Sequence, residues 1–81
     1  MRVRLRFFAS LREIAGKDEL DVDVDPETTA GGLWEEVVDR YPRMSPYTRT
    51  LQVAVNQDFA DKTRRLEPND EIVFLPPVSG G

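Results

Sequence analysis

Cysteine and histidine are both missing from this chain of 81 residues. Without cysteine there is no disulfide, no thiolate nucleophile, no side-chain persulfide or thioester, and no Cys/His zinc site. Without histidine there is no Ser-His-Asp triad, and the side chain best matched to proton transfer near neutral pH is gone. Carboxylates remain, but none follow the spacing of a calcium-binding EF-hand loop, so no metal is expected. No apolar run approaches the roughly 18–20 residues of a membrane span, and Met1-Arg2-Val3 opens no signal peptide. A cytoplasmic location without membrane contact is therefore expected. Lysine is scarce, with only Lys17 and Lys62 among 11 basic residues, and the net charge is −4. Nucleic acid is not an expected ligand, because duplex binding needs clustered positive charge. Such a chain is poorly equipped to be an enzyme on its own; it is expected to be acted upon by others.

What is present reads as one small folded domain. Apolar residues make up 40% and charged residues 32%. A chain of this length buries only about 60–65% of its unfolded surface, so its margin of stability is thin. Val3, Leu5 and Phe7 alternate with Arg2, Arg4 and Arg6, the period of a strand with one buried face. Ser10 opens a short helix over Leu11 to Ala15, ended by Gly16 in a left-handed cap. Leu20, Val22 and Val24 alternate with Asp21, Asp23 and Asp25, giving a second strand. Paired antiparallel, the arginine row lies over the aspartate row, which favours one register. The alternative use of the arginines is a phosphate-binding stripe.

Pro26 breaks the second strand. Thr28 or Thr29 then caps a helix whose stripe is Leu33, Trp34, Val37, Val38 and Tyr41, ended by Pro42. Gly31 and Gly32 lie in its first turn. Close packing onto the sheet explains them better than a phosphate loop, because no Gly-Lys-Ser/Thr follows. Residues 43–50 read as a polar loop. Leu51, Val53 and Val55 form the core face of a third strand, Asn56-Gln57-Asp58 a turn, and Phe59-Ala60 a short strand. Pro68-Asn69-Asp70 marks another turn. Glu71 to Leu75 is the last strand, apolar on both faces, as fits a central strand or one beside a partner. The order predicts an α+β fold, a sheet with one main helix across it.

After that strand comes Pro76-Pro77-Val78-Ser79-Gly80-Gly81. The prolines stop the strand and hold an extended spacer. Glycine lacks Cβ, so a narrow channel can close around its backbone. A free carboxylate such as that of Gly81 is a poor electrophile and needs activation, such as adenylation, to acquire a leaving group. Ser79 has no base beside it and reads as a small spacer.

The element order and this tail resemble the ubiquitin-like β-grasp family, and within it the small, sulfur-carrying subunits of molybdopterin synthases. The matching words are FFASLREIAG at 7–16, TTAGGLWEEVVDRYP at 28–42, VAVNQ at 53–57 and LEPNDEIVFLPPVSGG at 66–81. The resemblance implies a mixed sheet of four to five strands, with a β-grasp domain at 1–75 and an extended tail at 76–81. It implies that an E1-like enzyme, using ATP, adenylates Gly81, and that sulfur replaces one oxygen to give a thiocarboxylate. It further implies that the tail, Pro76 to Gly81, enters the large synthase subunit. There the sulfur passes to cyclic pyranopterin monophosphate, in a heterotetramer of two large and two small subunits. No cofactor is expected to stay bound to this chain.

Ordering a glycine-rich tail costs roughly 1–2 kcal/mol per residue, so a docking surface elsewhere is expected to offset it. Phe8 and Leu75 fall on the side of their strands opposite Phe7 and Phe74, and Phe59 follows the VNQ turn. These three are the candidate partner-binding residues; their alternative role is to cover gaps or form a second core layer. Glu67, Asp70 and Glu71 are candidates to pair with basic partner groups, or are simply turn residues. Three other readings stay open. One is a sulfur carrier for thiamine or tRNA thiolation. Another is a ubiquitin-like modifier joined through Gly81 to lysines, and the last is a binding domain with an inert end.

Overall fold

The computed structural model describes residues 1–76; the tail from Pro77 to Gly81 lies outside the described residues. Chain order is β1 (Arg2–Phe7), α1 (Ala9–Ala15), β2 (Glu19–Asp23), α2 (Ala30–Arg40), a 3₁₀ helix (Pro42–Tyr47), β3 (Gln52–Val55), β4 (Asp58–Ala60) and β5 (Glu71–Leu75). The strands form one five-stranded mixed sheet in the order β2-β1-β5-β3-β4. Only the β1–β5 pair is parallel. The doubly apolar β5 is therefore the central strand.

The period-2 pattern of β1 becomes a buried face of Val3, Leu5 and Phe7. Its arginines face acidic residues of β2, as expected, with Arg2 opposite Asp23 and Arg4 opposite Asp21. The third partner is Glu19, not Asp25, because β2 ends at Asp23. The ion pairs measure 3.5, 3.6 and 3.8 Å and all are substantially exposed. Each contributes at most about 1 kcal/mol, so their main effect is on register. Gly16 ends α1 at φ 76°, donating its N–H to the Arg12 carbonyl.

Helix α2 lies across the face of Phe7 and Phe74. Thr29 caps it, its Oγ1 accepting from the Gly32 N–H at 3.0 Å. Ala30, Leu33, Trp34 and Val37 are buried, and Trp34 meets the Phe74 ring edge-on at a centroid distance of 5.0 Å. Val38 and Tyr41 are only half-buried, at the rim of the stripe. The two glycines differ from expectation. A Cβ on Gly31 would stand 3.1 Å from the carbonyl oxygen of Lys62, so the close approach is to the β4–β5 connection and not to the sheet. That segment takes the helix's first donors: Ala30 N–H binds the Arg64 carbonyl and Gly31 N–H the Lys62 carbonyl. With Thr29 holding the Gly32 N–H, no donor of the first turn is left for a phosphate.

The polar loop expected at 43–50 is instead mostly helical. Pro42 is missing the N–H that a first helical position does not need, so it begins a new 3₁₀ turn where it ends α2. Met44 is fully buried within that turn. The β3–β4 turn is also shorter than expected. Asn56 and Gln57 both have positive φ (51° and 74°), and Asp58 already belongs to β4. Positive φ at both central residues is the two-residue hairpin geometry whose twist matches the flanking strands. Before β5, Pro68 and Asn69 (φ 69°) make a turn closed by the Asp70 N–H on the Glu67 carbonyl at 3.1 Å, with proline and asparagine in the positions such a turn prefers.

Candidate functional site

Among the described residues, no helix covers the other side of the sheet in the way α2 covers the core side, and the register decides which residues share that open face. Arg6 is the Cα partner of Val73, Val73 of Ala54, and Ala54 of Phe59. Directly paired residues project to the same side, so these four make one row across β1, β5, β3 and β4. In the next row Leu75 pairs with Gln52. Phe8 follows β1 in extended backbone, φ −124° and ψ 158°. The alternation therefore carries it to the same side, where the Arg6 guanidinium carbon stands 5.4 Å from its ring centroid.

The structure thus brings Phe8, Phe59 and Leu75 onto one surface. Phe59 is 75% exposed and Phe8 39%, while Leu75 is half-buried. Val73 and Ala54, between them in the rows, are buried and form the floor of this face. Phe8 owes its position to the next residue: Ala9 takes φ 51°, a left-handed conformation strained for a residue with a Cβ, and this turns the chain from β1 into α1.

Of the remaining candidates, Pro76 follows β5 directly, half-buried and outside any strand. Pro77, Val78, Ser79, Gly80 and Gly81 lie outside the described residues. The acidic candidates divide. Glu67 is exposed. Asp70 is 6% exposed and faces inward. Its Oδ1 accepts from Asn56 Nδ2 at 2.8 Å and its Oδ2 from the Glu67 N–H at 2.7 Å. It ties two turns together and presents no oxygen to a partner. Glu71 lies beside Arg6, at 3.9 Å. The alternation groups Arg6 with Arg2 and Arg4, and the structure sets it apart. Its difference arises from β5 lying alongside, which no local pattern shows. Among the described residues, no group of three or more His, Cys, Asp or Glu is placed to hold a metal ion, and no helix is long and apolar enough to cross a membrane.

Comparison with known proteins places this architecture. The model of the ThiS family matches residues 5–81. The chain belongs to the ThiS family. Its mixed five-stranded sheet with one helix across it is a ubiquitin-like β-grasp. This ThiS-family chain is 35% identical to the molybdopterin synthase sulfur carrier subunit of Dictyostelium discoideum, over 96% of this chain and 94% of that protein. It is 34% identical to the subunit of the same name in Homo sapiens, over 99% and 94%. Among solved structures, SAMP1 from Haloferax volcanii, a small archaeal modifier protein, superposes with a TM-score of 0.84 at 28% identity and full coverage of both chains. A chain of the Helicobacter pylori complex of subunits 1 and 2 of molybdopterin-converting factor shares the fold, with a TM-score of 0.71 at 22% identity over 100% of both chains.

Proposed function

We propose that this chain is a sulfur carrier in molybdopterin synthesis, with residues 1–75 as the docking body and 76–81 as the working tail. The observation that carries the reading is the position of the apolar open face. It is centred on β5, the strand that leads directly into the Pro-Pro-Val-Ser-Gly-Gly tail, in a chain whose near-full-length relatives are named sulfur carrier subunits. A partner that grips Phe8, Leu75 and Phe59 holds the base of the tail in the same act. The tail's ordering entropy is then offset by burial of the face.

The proposed chemistry lies on Gly81. Its carboxylate oxygen attacks the α-phosphorus of ATP in an E1-like activating enzyme and releases pyrophosphate. A sulfur nucleophile displaces AMP, leaving a thiocarboxylate. In the large synthase subunit, within an assembly of two large and two small subunits, the thiocarboxylate sulfur bonds to a side-chain carbon of cyclic pyranopterin monophosphate and displaces that carbon's oxygen substituent; water then cleaves the thioester, leaving sulfur on the pterin and Gly81 as a carboxylate. On this reading the chain is a cytoplasmic donor subunit that holds no cofactor and is no catalyst by itself. Ser79, Gly80 and Val78 thread the channel, and Pro76-Pro77 stiffen its approach.

The test is the mass of the C-terminal peptide of protein isolated from its native host. A fraction with one oxygen replaced by sulfur, captured by a thiocarboxylate-selective reagent, is expected. Capture matters because oxidation of Met1 or Met44 adds nearly the same mass. If no captured species forms under conditions of cofactor synthesis, the sulfur reading fails. The full-length likeness to SAMP1 favours a second reading, a protein modifier. Gly81 found in isopeptide linkage to lysines would decide for it.

A further inference from the structure

The β3–β4 edge of the sheet carries a depression of about 290 Å³, lined by Leu51, Gln52, Val53, Phe59, Ala60 and Lys62. Leu51 and Val53 are buried and give it an apolar floor, and Phe59 stands exposed beside them. Lys62 brings the one charge among the lining residues. Its ammonium is held in place, Nζ donating to the Thr48 carbonyl at 2.8 Å. An ammonium has three donors, so two remain. Among the described residues Lys62 forms no ion pair with a carboxylate. The adjacent Asp61 instead accepts from the Thr63 N–H at 2.9 Å and the Thr63 hydroxyl at 3.1 Å.

We propose that this depression is the seat of the chain's own tail, with Val78 against Phe59 and the Gly81 carboxylate on the Lys62 ammonium. Leu75 is the Cα partner of Gln52, and Val53 that of Ala60. The chain therefore leaves β5 two strand spacings, about 10 Å, from the end of β4 and Lys62 just after it. The five residues beyond Pro76 reach roughly 16–18 Å. Their order matches the depression: apolar Val78, small Ser79 and Gly80, then the carboxylate. So short a link holds the tail at an effective concentration in the millimolar range, so an intrinsic Kd of about 1 mM seats it about half the time. The inference takes from the proposed function only that Gly81 is a free end, and it needs no sulfur chemistry. Its consequence is competition: a partner that grips Phe59 lifts the tail off it, so docking and presentation of Gly81 become one event.

The experiment is proton NMR of the isolated full chain, reading nuclear Overhauser contacts between the Val78 methyls and the Phe59 ring. Such contacts are expected; their absence overturns the proposal whatever the outcome for sulfur capture. Lys62→Gln is expected to cut their intensity to about half, the change an exposed charge pair makes from half-occupancy. Lys62→Arg keeps the charge and is expected to retain most of it. Equal intensity in wild type and Lys62→Gln overturns the carboxylate anchor. A loss as large in Lys62→Arg shows that the bond to Thr48, and not the charge, is what matters, and overturns it too. In a mixture of differently labelled copies the contacts are expected within a copy; contacts between copies place the tail on a neighbour and overturn the seat within one chain.

Discussion

At the level of single residues, Phe59 and Asp70 show how little chemical type says about role. Phe59 is a large aromatic with three-quarters of its surface in solvent. Phe59→Ala is expected to change unfolding free energy by no more than about 0.5 kcal/mol, the range for surface substitutions without packing. It should nonetheless weaken binding to the large subunit; equal affinity by calorimetry would remove Phe59 from the docking face. Asp70 is the reverse, a charged residue inside. Asp70→Ala leaves the Asn56 amide and the Glu67 N–H without their acceptor. The expected cost is about 1–3 kcal/mol per donor left unsatisfied, read as a lower denaturation midpoint. Both residues stand in the sequence beside turn signals, and periodicity places Phe59 in a strand. Neither exposure nor burial follows from that, because both depend on what the rest of the chain lays over the position.

At the level of elements, the turns carry more of the register than their sequences announce. The β3–β4 hairpin holds Asn56 and Gln57 at positive φ. Asparagine tolerates that conformation, whereas glutamine gains nothing from it and carries the Cβ penalty of roughly 1–2 kcal/mol. Gln57→Gly is therefore expected to raise the melting temperature by a few degrees, at about 4–8 °C per kcal/mol in a domain of this size, with part of the gain lost to glycine's extra unfolded-state entropy. A lower melting temperature would show that the Gln57 side chain contributes a contact worth more than the strain. The helices were legible from spacing and caps: Thr29 before α2, Gly16 after α1. The 3₁₀ helix at Pro42–Tyr47 was not. Two prolines and several polar residues there outvote one methionine in any local pattern, and Met44 becomes decisive only when a core exists for it to enter.

At the level of the whole molecule, the proposed function gives the body and the tail separable tasks. The core is built from α2 and one face of the sheet, and β5 is complete at Leu75. Deleting residues 77–81 is expected to leave the melting temperature within about 2 °C of the full chain, since the core of the described residues is kept whole. It should abolish thiocarboxylate formation entirely. A truncated chain that unfolded early would mean the tail stabilises the body, and one still able to donate sulfur would refute the tail chemistry. Docking through Phe8, Leu75 and Phe59 should survive the truncation in weakened form, which separates binding from chemistry in one variant.

By itself the sequence determined what kinds of chemistry were open. With no cysteine and no histidine, the side chains that usually carry sulfur or move protons are missing, which is why the proposed chemistry lies on Gly81. It also determined the inward faces of the strands and of α2, because those periods repeat within a few residues and need no distant partner. What tertiary structure decided was adjacency. The parallel pairing of β1 with β5 joins residues some 67 positions apart, such as Phe7 and Phe74. That single pairing sets Phe8 near Leu75 and Arg6 beside Glu71, and it makes β5 the centre of the sheet. Such neighbours are chosen by which buried faces fit together under one helix, a competition over the whole chain that no short stretch of it records.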